Sequence, residues 1–554
     1  MSIHERAGQI AQQKDLVNIP KLMSHYFSIT PDVSIDAQRV CFGTSGHRGS
    51  SLKTSFNQQH ILAITQAVVD YRASANILGP LYLGIDTHAL SQAAFISAIE
   101  VLVANNVQVV VHKADGFTPT PVVSHSIINA NRSSKLNGDE LADGLIVTPS
   151  HNPPQDGGIK YNPPHGGPAE GEITQWIENR ANQYLKDQLI GVNRIEFTQA
   201  LTSPLIDQQD LITPYVEDLA SVIDMEAIAN ANVRLGVDPL GGSGIHYWAK
   251  IAAYYGLDIT LVNDSIDPSF SFMPLDKDGK IRMDCSSPFA MAGLLKQQEQ
   301  FDLCVGNDPD YDRHGIVCPG FGLMNPNHFL AVAIDYLVTH RPDWSEALII
   351  GKTLVSSAMI DKVCQQHGKT MSEVPVGFKW FVEGLGNATL AFGGEESAGA
   401  AFLRRDGSTW CTDKDGFILA LLAAEILAVT GKSPSERYNE LVGLHGESFY
   451  QRVDSPVEAS KKAKFAGILK TSVNINTLGT EQLAGEKIVT VLTKAPGNGA
   501  EIGGIKVVTE NAWFAARPSG TEALFKIYGE SFISQEHLEQ VIAEAQAIID
   551  GLLS

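Results

Sequence analysis

Short apolar runs that end in a small or polar residue recur through most of the chain. Each run holds four or five residues, which suits a strand buried on both faces, and a polar loop follows it. A helical pattern at 91–106 lies between the first two runs. This alternation predicts α/β domains with mixed or mostly parallel sheets, whose functional residues gather in the loops beyond the carboxyl ends of the strands. The runs begin at Leu81, Leu145, Val233, Leu303, Leu348 and Leu390.

The C-terminal part of the chain has a different order of predicted strands and helices. Two strand-like segments, EKIVTVLT and IKVVTE, are joined by the turn-rich stretch KAPGNGAEIGG, and a terminal helix is predicted from about Ser534. This order predicts a smaller α+β domain that follows three α/β units, which repeat a pattern rather than a sequence. We therefore predict four domains around a central active-site cleft, at residues 1–205, 206–320, 321–443 and 444–554.

Composition and charge narrow the class of protein. With 554 residues, of which 44% are hydrophobic and 19% charged, the chain is typical of globular proteins with several domains. The net charge of −21 disfavours nucleic acid and membranes as partners, although a local cluster of Arg and Lys can still bind a small anion. The six cysteines form no CxxC pair and are expected to be buried thiols, and no apolar leader is visible. These features predict a cytoplasmic protein.

A serine flanked by prolines, in LIVTPSHNPPQDGGIKYN at 145–162, is the first candidate for chemistry. A lone serine in such a stretch is usually only a turn residue. Here the prolines restrict the backbone, so that the Ser150 hydroxyl is presented at low entropic cost, and His151 and Lys160 lie nearby in the sequence. A fixed hydroxyl with an imidazole and an amine close to it indicates a nucleophile or a phosphoryl carrier.

Three aspartates alternate in VGNDPDYDRHG, at Asp308, Asp310 and Asp312. In an extended segment this spacing places the three carboxylates on one side, where their repulsion requires a cation. Ligands that are all oxygen favour a hard ion such as Mg²⁺. An EF-hand loop is excluded, because Arg313 and Pro319 occupy the positions where it needs Gly and Glu. A solvated acidic turn remains the alternative.

Two further loops carry weaker signals. In FGGEESAGA, Glu395 and Ser397 stand beside glycines and suit hydrogen bonds to sugar hydroxyls, although an exposed turn fits the same letters. The stretch ARPSGTEALFKIY combines cationic side chains, hydroxyls and a glycine, which indicates an anion site, with an ordinary turn at a strand end as the alternative. The residues of this candidate anion site are Arg517, Ser519, Gly520, Thr521 and Lys526.

The four loops together resemble the α-D-phosphohexomutase family, most closely its bacterial glucose-specific branch. The phosphoserine loop TPSHNP, the metal loop DPDYDRHG, the sugar loop GEESAG and the phosphate loop RPSGT stand in the order of that family. The segment GTSGHRG at 43–49 also resembles the N-terminal active-site segment of the family. The resemblance extends from about residue 40 to the C-terminus, and the four ordered motifs specify the family more closely than the sugar.

The resemblance implies a mechanism and a set of roles. Ser150 carries a phosphoryl group and contacts Mg²⁺ held by the three aspartates, and glucose 1-phosphate is converted to glucose 6-phosphate through glucose 1,6-bisphosphate. Glu395 and Ser397 bind sugar hydroxyls, and either Lys160 or His151 serves as general acid and base, with Lys160 favoured. Further contacts to the sugar phosphate are implied for Arg48, Arg313, Lys414 and the residues of the anion site, namely Arg517, Ser519, Gly520, Thr521 and Lys526.

Several alternatives stay open. An enzyme of this family could prefer mannose or glucosamine phosphates, a phosphatase using the same serine would release inorganic phosphate, and a phosphoprotein of the same fold would have no activity. Presence of Ser150 and all three aspartates argues against the last. The expected partners are small sugar phosphates, without nucleic acid or membrane, and the sequence leaves monomer and homodimer equally open.

Overall fold

The structure is a computed structural model that describes residues 3–43, 46–114, 116–137, 140–469, 473–518 and 524–553. Within these residues the chain forms four large sheets, one after another along the sequence. Three of them are mixed sheets with helices interleaved, and the fourth is antiparallel. The predicted α/β class is confirmed, as is a fourth unit of different construction. All six predicted apolar runs contain strands.

The first sheet has seven strands in the order β1-β2-β6-β5-β3-β4-β7. Strands β5, β3, β4 and β7 are parallel, and β6 runs antiparallel to β5. The last strand begins at residue 206, directly after the predicted end of the first domain, so this sheet extends to residue 209. Its strands are β1 Phe42–Gly43, β2 Gly46–Gly49, β3 Leu81–Ile85, β4 Val109–His112, β5 Asp143–Val147, β6 Gly157–Asn162 and β7 Ile206–Gln209; its helices are α1 Ile19–Ser28, α2 Gln58–Ser74, α3 Ala89–Ala104, α4 Thr120–Asn137, α5 Gly171–Lys186 and α6 Phe197–Leu201.

The second sheet has five strands in the order β12-β11-β10-β8-β9. Strand β10 is parallel to β8 and antiparallel to β11, so the sheet again changes from parallel to antiparallel pairing at its centre. Its elements are α7 Ile212–Asp218, α8 Met225–Ala231, β8 Leu235–Asp238, α9 Ile245–Tyr255, β9 Ile259–Leu261, α10 Ala292–Leu295, β10 Leu303–Asn307, β11 His314–Cys318 and β12 Gly322–Leu323.

The third sheet has four strands in the order β14-β13-β15-β16, with the last pair antiparallel. Sequence signals at the helix ends agree with the structure. Asp415 caps α14, accepting hydrogen bonds from the backbone N–H groups of Phe417 (2.9 Å) and Ile418 (3.2 Å). The elements are α11 Pro326–His340, β13 Ile349–Thr353, α12 Met359–Gln366, β14 Met371–Val374, α13 Val382–Gly386, β15 Leu390–Glu395, β16 Gly399–Phe402, α14 Gly416–Thr430 and α15 Pro434–His445.

The fourth sheet is antiparallel, in the order β17-β23-β22-β21-β20, and the C-terminal helix packs on it. A separate two-stranded sheet joins β18 and β19. The elements are β17 Phe449–Pro456, α16 Ala459–Leu469, β18 Gln482–Leu483, β19 Glu486–Lys487, β20 Thr490–Lys494, β21 Glu501–Val508, β22 Ala512–Pro518, β23 Leu524–Ser531 and α17 Gln535–Leu553.

One feature recurs in the three α/β units and positions the site. In each unit a parallel strand turns directly into an antiparallel neighbour, so a hairpin loop stands at its carboxyl end. The loops join β5 to β6, β10 to β11 and β15 to β16, and each contains a residue with positive φ that is not glycine: Ser150 (58°), Tyr311 (60°) and Ala398 (69°). These loops hold three of the four motifs that the sequence singles out.

Among the described residues, no single helix has both the length and the apolarity needed to cross a membrane; α14 and α15 reach these limits only as a pair bent by 74°.

The cysteines differ from expectation at one position. Five of the six are buried thiols, but Cys41 is exposed just before the short edge strand β1.

Candidate active site

Ser150 lies in the loop between β5 and β6, fully buried and in the left-handed backbone region. This conformation is uncommon for a residue other than glycine. The backbone N–H of Ser150 donates to Thr148 Oγ1 over 2.8 Å, and its hydroxyl donates to Asp308 Oδ2 over 2.7 Å. The predicted serine and the predicted acidic loop, 158 positions apart, therefore meet at hydrogen-bonding distance.

The acidic loop between β10 and β11 brings Asp308, Asp310 and Asp312 together with ligand oxygens within 4.8 Å of one another, all buried. The expectation of an extended segment was wrong, because the loop is a turn in which the N–H of Tyr311 donates to the carbonyl of Asp308 over 2.9 Å. The Tyr311 ring is buried and stacks on Phe417 at 4.3 Å between ring centres. The buried ring anchors the loop in the core.

Electrostatics within the triad are strongly asymmetric. Burial and the two neighbouring carboxylates raise the pKa of Asp308 well above its ordinary value. Burial alone would also raise the pKa of Asp312, but Lys160 and Lys414 hold it well below its ordinary value. Oδ1 of Asp310 and Oδ1 of Asp312 are buried and lack a hydrogen-bond partner among the described residues. Two orphaned carboxylate oxygens that face a third carboxylate fit a hard cation.

The two general acid and base candidates both lie beside the triad. Lys160 Nζ is 2.5 Å from Asp310 Oδ2 and 3.1 Å from Asp312 Oδ2, and His151 Nδ1 is 3.4 Å from Ser150 Oγ. Burial would lower the pKa of Lys160, but the two carboxylates outweigh it and the net shift is upward. Burial, with Arg313 and Arg48 nearby, lowers the pKa of His151 to about 3. The geometry brings both groups to the serine loop and leaves the choice between them a prediction.

Three further predicted cations surround the carboxylates. Lys414 Nζ lies 2.8 Å from Asp312 Oδ2, and Arg313 Nε lies 3.7 Å from Asp312 Oδ1. Arg48, on β2, donates to Asn152 Oδ1 over 3.4 Å. Lys414 reaches the triad because it passes over Gly399, where an added Cβ would stand 2.3 Å from Lys414 Cδ. A side chain in place of this glycine would force Lys414 to move.

Glu395 ends β15 and is buried, whereas Ser397 is half-buried in the turn that follows. Glu395 Oε1 accepts a hydrogen bond from the N–H of Gly377 over 3.1 Å, and burial raises the pKa of this carboxyl group to about 6. The sugar loop also contacts the acidic hairpin, because the N–H of His314 donates to the carbonyl of Ala398 over 3.1 Å. This backbone hydrogen bond joins the second hairpin to the third.

The fourth motif lies on the hairpin of β22 and β23. Arg517 and Lys526 face each other across these strands, and Arg517 Nε is buried without a hydrogen-bond partner among the described residues. The remaining members of the candidate anion site, Ser519, Gly520 and Thr521, lie outside the described residues. An orphaned guanidinium nitrogen is consistent with an anion-binding role for Arg517.

Sequence reasoning missed polar residues that hold the site together. Thr120, the first residue of α4, donates to Asp310 Oδ2 over 2.8 Å. Asp413 Oδ2 accepts a hydrogen bond from Asn162 over 2.9 Å. Asp86 and His88 lie beneath the serine loop. Thr120 stands in the stretch TPTP, which resembles any proline-rich helix start, so no local signal identified it. Asp413 precedes Lys414, a predicted site residue, and this adjacency is its only signal in the sequence.

Comparison with known proteins places this geometry in a family. Four domain profiles described as Phosphoglucomutase/phosphomannomutase match in order: alpha/beta/alpha domain I at 39–188, domain II at 213–321, domain III at 325–444 and the C-terminal domain at 455–548. A phosphoglucomutase from Komagataeibacter xylinus is 54% identical over 553 residues, which cover 100% of this chain and 98% of that protein. The chain belongs to the phosphoglucomutase/phosphomannomutase family. The resemblance read from the four motifs is confirmed, and with it an enzyme of the phosphohexomutase class.

More distant members of the phosphoglucomutase/phosphomannomutase family support the same fold. Phosphoglucomutase 2 of Saccharomyces cerevisiae is 26% identical over 567 residues, covering 94% of this chain and 95% of that protein. The structure of pp63/parafusin from Paramecium in its open form matches with a TM-score of 0.72 at 20% identity, over 94% of this chain and 96% of that one. A family protein from Burkholderia thailandensis matches with a TM-score of 0.67 at 18% identity, over 92% and 97% of the two chains.

Proposed function

We propose that this member of the family is a phosphoglucomutase, which interconverts α-D-glucose 1-phosphate and glucose 6-phosphate through a phosphorylated Ser150. The observation that carries the proposal is the 2.7 Å hydrogen bond from Ser150 Oγ to Asp308 Oδ2, inside a buried cluster of three carboxylates. A hydroxyl held against such a cluster is suited to carry a group that is itself anionic, provided that a cation offsets the charge. The full-length relative that is 54% identical carries the same name.

The cation that suits this site is Mg²⁺, held by Asp308, Asp310, Asp312 and an oxygen of the group on Ser150. The three carboxylates offer oxygen ligands only, and two of their oxygens have no hydrogen-bond partner among the described residues. When bound, such an ion withdraws charge from phosphorus during transfer. Lys160 and Lys414 offset the remaining negative charge of Asp310 and Asp312.

The reaction consists of two transfers at the same serine. In the first, the Oγ–P bond of phosphorylated Ser150 breaks as O6 of glucose 1-phosphate bonds to phosphorus. The O6 proton passes to His151, or to Lys160 in its neutral form, and is then delivered to the departing Ser150 Oγ, which becomes a hydroxyl. The product, glucose 1,6-bisphosphate, then turns around within the site. In the second transfer, Ser150 Oγ gives its proton to the same acid/base group and bonds to the phosphorus on O1, the O1–P bond breaks, and O1 takes up that proton as glucose 6-phosphate leaves. Both steps depend mainly on positioning and charge.

The sugar must bind in two opposite orientations, so its contacts have to serve both. Glu395 and Ser397 are assigned to hydroxyls near the middle of the ring, where reorientation changes the contacts least. The phosphate that does not react is assigned to the anion site, with Arg517 at its centre, because its Nε is buried and without a hydrogen-bond partner among the described residues. Arg48, Arg313 and Lys414 line the side of the triad and supply further positive charge.

The proposed substrate class also indicates the partners and the location of the enzyme. Its partners are small sugar phosphates, with glucose 1,6-bisphosphate as both intermediate and activator. We place it in the cytoplasm, where hexose phosphates are interconverted, and it acts as a monomer or a homodimer. Closure of the fourth domain over the bound sugar is expected, because the bisphosphate must be enclosed and still be able to turn.

The decisive experiment compares the wild type with Ser150→Ala in a coupled assay from glucose 1-phosphate to glucose 6-phosphate. We expect the variant to lose at least about a thousandfold in kcat, since the nucleophile is removed. The matched control is Ser97→Ala, which removes a buried hydroxyl of α3 that is bonded to Tyr26. Label from radioactive glucose 1,6-bisphosphate should appear on Ser150 in the wild type only. Equal rates in the two enzymes, or label that never reaches Ser150, would refute the proposal.

A further inference from the structure

A buried carboxylate lies directly beneath the serine loop. Asp86 follows β3 and is 1% exposed, and because β3 and β5 are parallel neighbours, the loops after them meet at one edge of the sheet. Its Oδ2 accepts a hydrogen bond from Thr148 Oγ1 over 2.7 Å. Its Oδ1 accepts hydrogen bonds from Ser91 Oγ over 2.5 Å and from the N–H of His88 over 3.0 Å. The carboxylate is therefore fixed from the helix side and reaches the loop with its other oxygen.

Thr148 connects this carboxylate to the backbone of the serine. Its hydroxyl proton is directed at Asp86, so a lone pair of Oγ1 is left to accept the N–H of Ser150 over 2.8 Å. That hydrogen bond spans the turn in which Ser150 takes a φ of 58°. A carboxylate accepts only, so Asp86 fixes the direction of the hydroxyl, and the hydroxyl in turn fixes the strained residue.

His88 holds the opposite end of the same loop. Its Nδ1 is 2.8 Å from Asp86 Oδ2, and its Nε2 is 3.0 Å from the carbonyl oxygen of Asn152. Both neighbours are acceptors, so both ring nitrogens must carry protons and the ring is an imidazolium paired with Asp86. Burial alone would lower the pKa of His88, but Asp86 and the Asn152 carbonyl raise it above its ordinary value.

We propose that Asp86, His88 and Thr148 are positioning residues that grip the serine loop at Thr148 and at Asn152, so that Ser150 keeps its left-handed backbone and directs Oγ towards Asp308. The inference rests on the proposed function, since it concerns the geometry of phosphoryl transfer at Ser150. Among the described residues, none of the three side chains forms a hydrogen bond with Ser150 Oγ or with the aspartate triad. Their effect is expected on the transfer steps rather than on sugar binding.

The test uses a pair of variants at Thr148 that differ in one group. Thr148→Val keeps the shape of the side chain and loses the hydroxyl, whereas Thr148→Ser keeps the hydroxyl and loses a methyl group. We expect Thr148→Val to lower kcat by about 10- to 100-fold with KM for glucose 1-phosphate changed less than about twofold, since the two lost hydrogen bonds hold the backbone of Ser150 and do not touch the sugar. Thr148→Ser should restore kcat to within about threefold of the wild type.

Two further variants and a control complete the design. Asp86→Asn should lower kcat by a similar factor, because its amide would present a donor to Thr148 Oγ1, and His88→Gln should lower it less, because one amide N–H can still reach a single partner. Ser97→Ala, which lies on α3 but does not contact the loop, controls for loss of stability and should leave kcat unchanged. The rate at which glucose 1,6-bisphosphate phosphorylates Ser150, followed by intact mass, should fall in parallel with kcat.

The outcomes separate the two proposals. If Ser150→Ala remains active, the proposed function fails whatever the Thr148 variants do. If Ser150→Ala is inactive while folded Thr148→Val and Asp86→Asn keep the wild-type kcat, the positioning role is overturned. Equal losses in Thr148→Ser and Thr148→Val would also overturn it, because the hydroxyl would then be irrelevant. Should Asp86→Asn fail to fold, the Thr148 pair still decides.

Discussion

The first three hairpin loops and the fourth differ in how they are anchored. The serine, acidic and sugar loops belong to units that share one large apolar core with members from Tyr82 to Leu441, and the first unit adds a second core from Leu22 to Ala200. The fourth hairpin, which carries Arg517, belongs to a sheet with a core of its own, formed with α16 and α17. Ser150 and the three aspartates, which carry out transfer, thus lie in one body formed by the first three units. Arg517, which is assigned to the phosphate that does not react, lies in a second body, the fourth unit.

The contact between these two bodies combines a small apolar cluster, which includes Leu354, Val355 and Trp513, with buried polar pairs. Glu530 of β23 is fully buried and accepts hydrogen bonds from both sides: from Ser357 and the N–H of Ala358 (2.7 Å) in the third unit, and from Ser448 (2.5 Å) and Trp513 (2.7 Å) in the fourth. Lys506 Nζ adds an ion pair of 2.8 Å with Glu373 across the same contact. Directional contacts of this kind hold one geometry and can exchange for another, whereas a shared apolar core resists division. The apolar cluster at this contact is much smaller than the core shared by the first three units, so we expect the fourth unit to move while the other three stay fixed.

The largest expected effect is a difference in which kinetic constant changes, kcat for a variant in the first body and KM for a variant in the second. Asp310→Asn, in the acidic loop, should lower kcat by at least about 100-fold, because it weakens the cation site. Arg517→Ala should instead raise KM for glucose 1-phosphate by about 10- to 100-fold, since it removes a charged hydrogen bond to a phosphate. Steady-state kinetics and metal titration of Asp310→Asn measure both.

The exposed ion pair between Arg234 and Asp302 supplies matched controls for these two variants. Arg234→Ala and Asp302→Asn remove the same kinds of group from the surface of the second unit and should change neither constant by more than about twofold. If Arg517→Ala lowered kcat as strongly as Asp310→Asn without changing KM, the division of labour between the two bodies would be wrong.

A smaller effect is expected at the contact between the third and fourth units. Glu530→Ala leaves four donors without their acceptor and should lower the free energy of unfolding by about 3 kcal/mol, with cleavage near residues 440–450 by a limiting protease accelerated. Adding glucose 1,6-bisphosphate to the wild type should slow this cleavage. Identical digestion patterns with and without the bisphosphate would count against movement of the fourth unit.

The smallest predicted effect tests how deeply the sugar loop is buried. The pKa of Glu395 is about 6 in the folded protein against an ordinary value of 4.5, so the native state binds more protons than the unfolded state between these values. Stability should therefore fall as pH rises through this window, by about 2 kcal/mol, with the cost absent below pH 4.5 and complete above pH 6. Glu395→Gln removes the contribution of this carboxyl group and leaves those of Asp143, Asp238 and Asp415, whose pKa values burial also raises to about 6.

Thermal unfolding of wild type and Glu395→Gln, compared at about pH 4.5 and pH 7.5, measures the effect. The stability of the variant relative to the wild type should increase with pH. Glu501→Gln, which changes an exposed carboxylate on β21 of the fourth unit, serves as the control and should show no such trend. A relative stability of Glu395→Gln that stays constant or falls with pH would contradict the prediction.

Much of the fold and the site was predictable because its signals are local. Each apolar run is a strand, and the helix expected after residue 90 is α3, Ala89–Ala104. Ser150 and the three aspartates were identified from their own loops. The extended form of the acidic loop was wrong, because the anchoring of Tyr311 against Phe417 depends on a partner more than one hundred positions away. Asp86 and Glu530 were missed for the same reason, since each is recognised only by donors from other segments.

The sequence by itself determined the alternation of strands and helices, the order of the four loops and the chemical groups that each loop presents. These properties follow from periodicity and turn chemistry within a few residues. Only the tertiary structure decided that Ser150 meets Asp308, that Lys160 and Lys414 share the charge of Asp312, and that the fourth unit is attached through buried polar pairs and a small apolar cluster. Such contacts join residues far apart in the chain, and their energies depend on burial that no local pattern contains.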